Sequence, residues 1–265
     1  MNKNIFPNFW QALLIISCWA ATNLIIWTIT SVLIYKHDDS ILYQSIQVIF
    51  MGLNFVPYIV YLIKKTNIRI WNYFDLPDLV TLFRLIIVTV LIKFVIQIPL
   101  EQVDTFYKLL MDSKIRIYGT SINSQTLFII ATSKWILFPF IEEILYRGLI
   151  LRQFLIRYSP TKAIILSSLI FSFAHLRYEG FAGLFVGGIV LGIFYYKTNS
   201  ILVSSISHCF ANLAGVLNYE NLSLDQKNLI VCISIFFISI LIVIFLLKRP
   251  MQTIKINTPN GNRLE

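Results

Sequence analysis

Residues 140–148 read FIEEILYRG, and they lie inside a long apolar run. Two adjacent carboxylates, Glu142 and Glu143, are followed by the cation Arg147. Charged side chains within an apolar segment are costly, so they usually face a cavity or each other. The stretch therefore predicts a membrane-spanning helix that carries a polar site.

The composition around this stretch is that of a membrane protein. Of 265 residues, 57% are hydrophobic and 13% are charged, with a net charge of +9 at neutral pH. Soluble domains carry about 25% charged residues. The basic residues lie mainly between apolar runs, which indicates orientation in a bilayer rather than nucleic-acid binding. Cys18, Cys209 and Cys232 share no motif spacing and predict neither a disulfide framework nor a zinc site.

Apolar runs of about 20 residues predict an all-α, polytopic membrane bundle of about eight helices. The predicted helices cover residues 9–35, 41–63, 83–100, 125–146, 161–177, 181–197, 200–218 and 228–247. With eight spans, both termini lie inside, together with the larger share of the basic residues. We expect a single transmembrane domain over residues 1–250, a polar outside loop over 101–124 and a disordered cytoplasmic tail over 251–265. Residues 66–82 could form an interfacial segment or a cytoplasmic loop.

The spacing of the charges in the quoted stretch predicts a division of labour. On a helix, Glu143 and Arg147 share a face, whereas Glu142 is turned away by about 100°. Glu143 would then neutralise Arg147, and Glu142 would point into a cavity. The alternative is that the two acids mark a helix end at the membrane–water interface.

Two of the three histidines follow the acids in apolar context. FSFAH ends at His175, and HCFAN runs from His208 to Asn212. His208 and Asn212 are four residues apart and share a helical face. His37 lies in a polar loop, where we expect it to be solvated. Lys93 and Lys134 also lie in apolar runs, and we favour a structural role for both.

These side chains together could hydrolyse an amide without a serine or cysteine nucleophile. A carboxylate can act as general base toward water, and a histidine can orient that water. A second histidine and an asparagine can donate hydrogen bonds to the developing oxyanion. Two histidines and a glutamate are also a known zinc set, although HExxH is absent and the residues fall on separate helices. A proton relay in a transporter is a further alternative, but the sequence shows no inverted repeat.

Three motifs in this order resemble those of the CAAX protease and bacteriocin-processing family. This family is also called the Abi family or the glutamic intramembrane proteases, and it has an Rce1-like branch. In this sequence the motifs are Glu-Glu-x-x-x-Arg at residues 142–147, Phe-x-x-x-His at 171–175 and His-x-x-x-Asn at 208–212. The resemblance covers about residues 125–220 and implies a catalytic core there, in an eight-helix bundle with a cavity open toward the cytoplasm.

The resemblance also implies a role for each motif residue. Glu142 would be the general base that activates water, with His175 assisting. Glu143 and Arg147 would support the site. His208 and Asn212 would form the oxyanion hole. The family has been discussed as metal-dependent, but we favour the glutamate mechanism, with no cofactor expected and a bound metal left open.

The predicted function is an intramembrane endopeptidase of the CAAX-processing type. Its substrate would be a membrane-associated peptide or protein, such as a prenylated tail or a precursor peptide. The richness in Ile, Asn and Lys indicates an AT-rich bacterial genome, so we expect the protein in a bacterial cytoplasmic membrane. The alternative is a non-catalytic immunity or partner-binding protein that retains the fold.

The predicted helices place two site residues at different depths in the membrane. Simple counting puts Glu142 near the inner end of the fourth helix and His175 near the outer end of the fifth.

Overall fold

The described part of the chain is helical throughout. The computed structural model describes residues 5–34, 40–94, 132–176 and 180–217, together with residue 241. Within these ranges no strand occurs, which confirms the predicted all-α class. The helices, in chain order, are α1 Phe9–Ile34, α2 Ser40–Thr66, α3 Leu79–Ile92, α4 over residues 133–157, α5 Pro160–Ala174, α6 Phe181–Thr198 and α7 Ile201–Leu217. A short 3₁₀ helix at Ile70–Tyr73 lies between α2 and α3.

The bounds of α1, α2, α5, α6 and α7 agree with the predicted helices to within a few residues. Helix α3 begins at Leu79, earlier than predicted, because the carboxylate of Asp78 accepts a hydrogen bond of 2.9 Å from the Thr81 amide and caps the helix. Several predictions lie outside the described residues, namely the outside loop 101–124, the tail 251–265, His37 and, apart from Leu241, the helix 228–247.

Helix α4 continues well past its predicted end. The sequence predicts a helix over residues 125–146, whereas the structure continues it to Arg157. The helix alternates between π-helical segments, Ser133–Leu137 and Ile144–Leu151, and α-helical segments, Phe138–Glu143 and Arg152–Arg157. The prediction ended too early because Arg147 and Arg152 look like the start of a polar loop. Both are buried instead, and Arg152 lies 3.9 Å above the ring of Tyr73.

The extended α4 brings Glu142 and His175 together. A turn at residues 158–159 joins α4 to α5. Glu142 lies 15 residues before Arg157, and His175 lies 15 residues after Pro160. At an α-helical rise of about 1.5 Å per residue, His175 is about 22 Å from the turn, and Glu142 lines the same cavity as His175. The separation expected from a fourth helix that ends at residue 146 is not observed, because Glu142 and His175 line one cavity. Their depth in the bilayer stays a prediction.

Helix α4 lies in the middle of the described bundle. It contacts α2, α5, α6 and α7, while α1 packs on α2 and α5, and α7 also packs on α3 and α6. The pairing of α5 with α6 is the most extensive and depends on Gly188. A Cβ atom at Gly188 would lie 3.0 Å from Ser168 Cβ and 3.2 Å from Ser168 Cα. The absence of a side chain there lets the two helices approach closely.

Three described helices are long and apolar enough to cross a membrane, namely Phe9–Val32, Ser45–Thr66 and Phe181–Thr198. Three shorter apolar helices accompany them at Leu79–Ile92, Pro160–Ala174 and Ile201–Ala214. Large apolar side chains such as Trp10, Leu53 and Val80 are exposed on the outside of the bundle. This surface suits contact with lipid chains.

Candidate active site

The ion pair between Glu143 and Arg147 is buried at the centre of the bundle. Arg147 Nη1 donates to Glu143 Oε1 over 2.7 Å, and the two side chains are 0% exposed for Glu143 and 1% exposed for Arg147. Arg147 Nη2 donates to the Gly188 carbonyl on α6 over 3.1 Å. A buried charge needs a close partner and further hydrogen bonds. Glu143 and Gly188 supply both to Arg147, so the pair also ties α4 to α6.

His208 on α7 lies between the two adjacent acids. Its Nδ1 is 3.0 Å from Glu143 Oε1, and its Nε2 is 3.9 Å from Glu142 Oε2. Because a carboxylate can only accept, Nδ1 carries the proton in the contact with Glu143. Glu143 thus fixes the orientation of the His208 ring and turns Nε2 toward Glu142.

Glu142 differs from its neighbour because it lines an open cavity. Its side chain is 17% exposed, whereas that of Glu143 is fully buried. The cavity has a volume of about 300 Å³, and His175 and Tyr146 line it together with Glu142. The structure thus places the two acids in different surroundings, one in an ion pair and one at a cavity wall.

His175 stands at the end of α5, beside this cavity. Helix α5 ends at Ala174, and Leu176 adopts a left-handed backbone with φ of 51°. The His175 Nδ1 is 2.8 Å from the Phe171 carbonyl, which can only accept, so Nδ1 is the donor. In the neutral ring, Nε2 then carries the lone pair. His175 can therefore accept a hydrogen bond from water through Nε2.

Phe171 connects the members of the site. Its ring packs edge-on against Tyr146 at 5.1 Å, against His175 at 4.7 Å and against His208 at 5.8 Å between ring centroids. The guanidinium of Arg147 lies 4.7 Å from the centre of the same ring. The sequence-based prediction assigned Phe171 no role, although this residue opens the Phe-x-x-x-His motif. The spacing of four residues from His175 is the signal that could have found it.

Asn212 lies in a different cavity from Glu142. Asn212 and His208 line a smaller space of about 60 Å³, together with Phe171 and Lys93. His208 thus borders the small cavity and also lies close to Glu142. The predicted catalytic residues are thus divided between two cavities that share no lining residue, with Glu142 and His175 in one and His208 and Asn212 in the other. Lys93 lies beside the predicted oxyanion residues, and the side chain of Lys134 is outside the described part of the structure.

The described residues also bear on metal binding and on orientation. Among them, no three His, Cys, Asp or Glu side chains form a cluster that could hold a metal ion. Arg147 and Arg152 follow the predicted end of the fourth helix at residue 146, which would put them among the cytoplasmic basic residues, but both are buried in α4. The predicted orientation therefore rests on the remaining basic residues.

Comparison with known protein families identifies the part of the chain that holds the site. Residues 124–214 match the model of the type II CAAX prenyl endopeptidase Rce1-like family. The chain carries an Rce1-like domain. No curated protein and no solved structure matches the chain.

The Rce1-like domain contains all three motifs and every motif residue of the candidate site described above. Its family is one of endopeptidases, which places the domain in a hydrolase family. Together with the long apolar helices, the family shows that this is an integral membrane protein.

Proposed function

We propose that the protein is an intramembrane endopeptidase that uses a water molecule activated by Glu142. One observation carries the proposal. Glu142 and His175 line the same cavity, while the adjacent Glu143 is neutralised by Arg147. A carboxylate at a cavity wall is available to water, and the Arg147 charge is already compensated by Glu143.

Glu142 and His175 act on the water in the first step. Glu142 removes one proton from the water, whose oxygen attacks the carbonyl carbon of the scissile bond. His175 Nε2 accepts a hydrogen bond from the other water hydrogen and so orients the attack. The protonated Glu142 then gives its proton to the leaving amine nitrogen, and the C–N bond breaks.

His208 and Asn212 serve the oxyanion that develops on the carbonyl oxygen. His208 can donate through Nε2 only when the ring carries two protons. The contact of 3.0 Å between Nδ1 and Glu143 holds the ring so that Nε2 is on the Glu142 side. Asn212, one turn further along α7, supplies an amide donor from the small cavity that His208 also lines.

The long apolar helices around the site support a substrate at the membrane. We propose a membrane-associated peptide or protein, either a prenylated CAAX-type tail or a precursor peptide. We further propose that the protein resides in a bacterial cytoplasmic membrane with both termini inside. A nucleic-acid partner is not part of this proposal.

The test compares peptide termini by mass spectrometry in cells that carry the wild type, Glu142→Gln or Asp75→Asn at equal abundance. Asp75 is a carboxylate between the 3₁₀ helix and α3, away from the cavity, so its conversion to an amide is a matched control. We expect termini that occur with the wild type and with Asp75→Asn but not with Glu142→Gln. Identical termini in all three, with any phenotype of the cells intact, would instead point to an immunity or partner-binding protein.

A further inference from the structure

The cavity beside Glu142 has a second wall, which α1 provides with a contribution from α2. The residues of α1 and α2 that line it are Trp19, Ala20, Asn23, Leu24, Trp27 and Met51. Glu142 and His175 stand on the other wall, which belongs to α4 and α5. Any molecule that reaches Glu142 through this cavity therefore lies against α1. The α1 wall lies outside the matched Rce1-like domain, which begins at residue 124.

Two polar atoms on the α1 wall lack partners among the described residues. Trp19 Nε1 and Asn23 Oδ1 are both buried and have no hydrogen bond there. Buried polar groups are nearly always paired, because an unpaired donor or acceptor away from water costs free energy. The Asn23 amide can rotate about its last torsion, so it can present either its oxygen or its NH₂ group. A donor and an adaptable amide thus await a ligand with both kinds of group.

The spacing of Trp19 and Asn23 fits an extended peptide. They are four residues apart on α1 and share a face, separated by about 6 Å along the helix axis. In an extended chain, groups that point to the same side repeat every second residue, at about 6.6 Å. One strand of peptide could therefore accept from the indole of Trp19 and pair with the amide of Asn23 at once.

The α1 wall is held in place by contacts with α2. Thr22 Oγ1 is 3.0 Å from Asn54 Oδ1 and 3.1 Å from the Tyr58 hydroxyl. Asn54 Nδ2 donates to the Trp19 carbonyl over 3.3 Å. The ring of Trp19 packs against Phe55 at 4.6 Å between centroids. These contacts fix Trp19 and the face of α1 that it shares with Asn23, so little ordering is needed on binding.

We propose that Trp19 and Asn23 bind the backbone of the substrate peptide and hold it in extended form against Glu142. They are positioning residues for the substrate. The inference rests on the proposed endopeptidase function, and it assigns substrate binding to a helix outside the matched domain. Side chains of the peptide would meet the apolar remainder of the wall, mainly Leu24 and Trp27.

The test uses the full-length protein in lipid nanodiscs and a set of short internally quenched peptides, farnesylated and unmodified. Kinetics are measured on any peptide that the wild type cuts and Glu142→Gln does not. Trp19→Phe removes the indole N–H but keeps a ring on Phe55, and Asn23→Leu removes the amide at similar volume. Trp10→Phe is the matched control, because Trp10 lies on α1, is 72% exposed and does not line the cavity.

Both variants are expected to weaken substrate binding rather than chemistry. Loss of one hydrogen bond should raise KM about fivefold in each, with kcat within about twofold of the wild type. Trp10→Phe should leave both constants unchanged. A fall in kcat with KM unchanged would overturn the proposal, since the two groups would then hold water or pair with each other. Unchanged constants in both variants would overturn it as well.

A second readout separates this inference from the proposed function. The same peptides, carrying a benzophenone, are cross-linked to Glu142→Gln protein and the linked residues are mapped. We expect links within residues 19–27, lost in the Trp19→Phe/Asn23→Leu background. If the wild type cuts no peptide but these links form and depend on the two residues, the endopeptidase proposal fails and the peptide-binding wall stands. Cross-links to other residues would overturn the proposed peptide binding by α1, whether or not cleavage occurs.

Discussion

His208 is held by Glu143 and faces Glu142, so a single imidazole connects two adjacent acids that lie in different surroundings. Its Nδ1 lies 3.0 Å from Glu143, and its Nε2 lies 3.9 Å from Glu142. Glu143 also compensates the charge of Arg147. Loss of the Glu143 carboxylate should therefore reduce stability, whereas loss of the Glu142 carboxylate should reduce activity.

Replacing the two acids one at a time should give opposite signatures. Glu143→Gln leaves the buried guanidinium of Arg147 without its carboxylate, which should lower the free energy of unfolding by about 3–5 kcal/mol. Glu142→Gln lies at a cavity wall and should change that free energy by less than about 0.5 kcal/mol. It should nevertheless lower kcat by about 10²- to 10⁴-fold. Thermal unfolding in detergent and peptide cleavage measure the two effects, and equal loss of stability in both variants would contradict this division.

Replacing Arg147 alone should destabilise the protein more than replacing Arg147 and Glu143 together. Arg147→Met strands the charge of Glu143 in the core and should reduce the yield of folded protein. The double variant Glu143→Gln/Arg147→Met removes both charges and should recover part of the lost stability. A double-mutant cycle on the melting temperature measures the coupling. Additive losses would show that the pair does not act as a unit.

His175 should tolerate asparagine for folding but not for activity. The amide nitrogen of asparagine can take the place of Nδ1 in the hydrogen bond to the Phe171 carbonyl, and nothing then replaces Nε2. His175→Asn should therefore keep the melting temperature near that of the wild type and lower kcat by about 10²-fold or more. His175→Ala is the comparison, because it loses both nitrogens and should also lower stability. Full activity of His175→Asn would exclude a role for Nε2.

Replacing Gly188 even by alanine should destabilise the protein. A Cβ atom there would meet the backbone of Ser168, which cannot move aside as a flexible side chain does. We expect Gly188→Ala to cost about 1–3 kcal/mol of stability and to disturb the carbonyl that binds Arg147. Gly52→Ala on α2 is the matched control, because no described atom lies within 4 Å of the place that the new Cβ would take. That variant should be neutral or stabilising by up to about 1 kcal/mol, since alanine favours the helix.

Much of the site could be predicted because charge is rare in an apolar chain. Glu142, Glu143 and Arg147 stood out for that reason, and their helical spacing gave the pairing that the structure shows. The hydrogen bond from Arg147 to Gly188 could not be predicted, because it uses a backbone carbonyl, which every residue has. The Trp19 and Asn23 atoms that lack partners among the described residues could not be predicted either, because hydrogen bonding depends on tertiary contacts.

The length of α4 was the main error of the fold prediction. Arginine after an apolar run usually marks the membrane boundary, and Arg147 and Arg152 were read in that way. Their partners come from elsewhere in the chain as well as from nearby, with Gly188 binding Arg147 and Tyr73 lying under Arg152. Such long-range compensation is decided by tertiary packing, so hydropathy along the chain does not reveal it.

The hairpin of α4 and α5 would set the distance between the proposed cleavage site and one membrane face. Glu142 and His175 lie at equal numbers of residues from the ends of the turn at residues 158–159, so a turn held at one membrane face would set the depth of both. A thicker or thinner bilayer changes the distance to the opposite face and leaves this one unchanged. The position of the cut would then be read from one surface only, and substrates would be selected by how far their scissile bond lies from that surface.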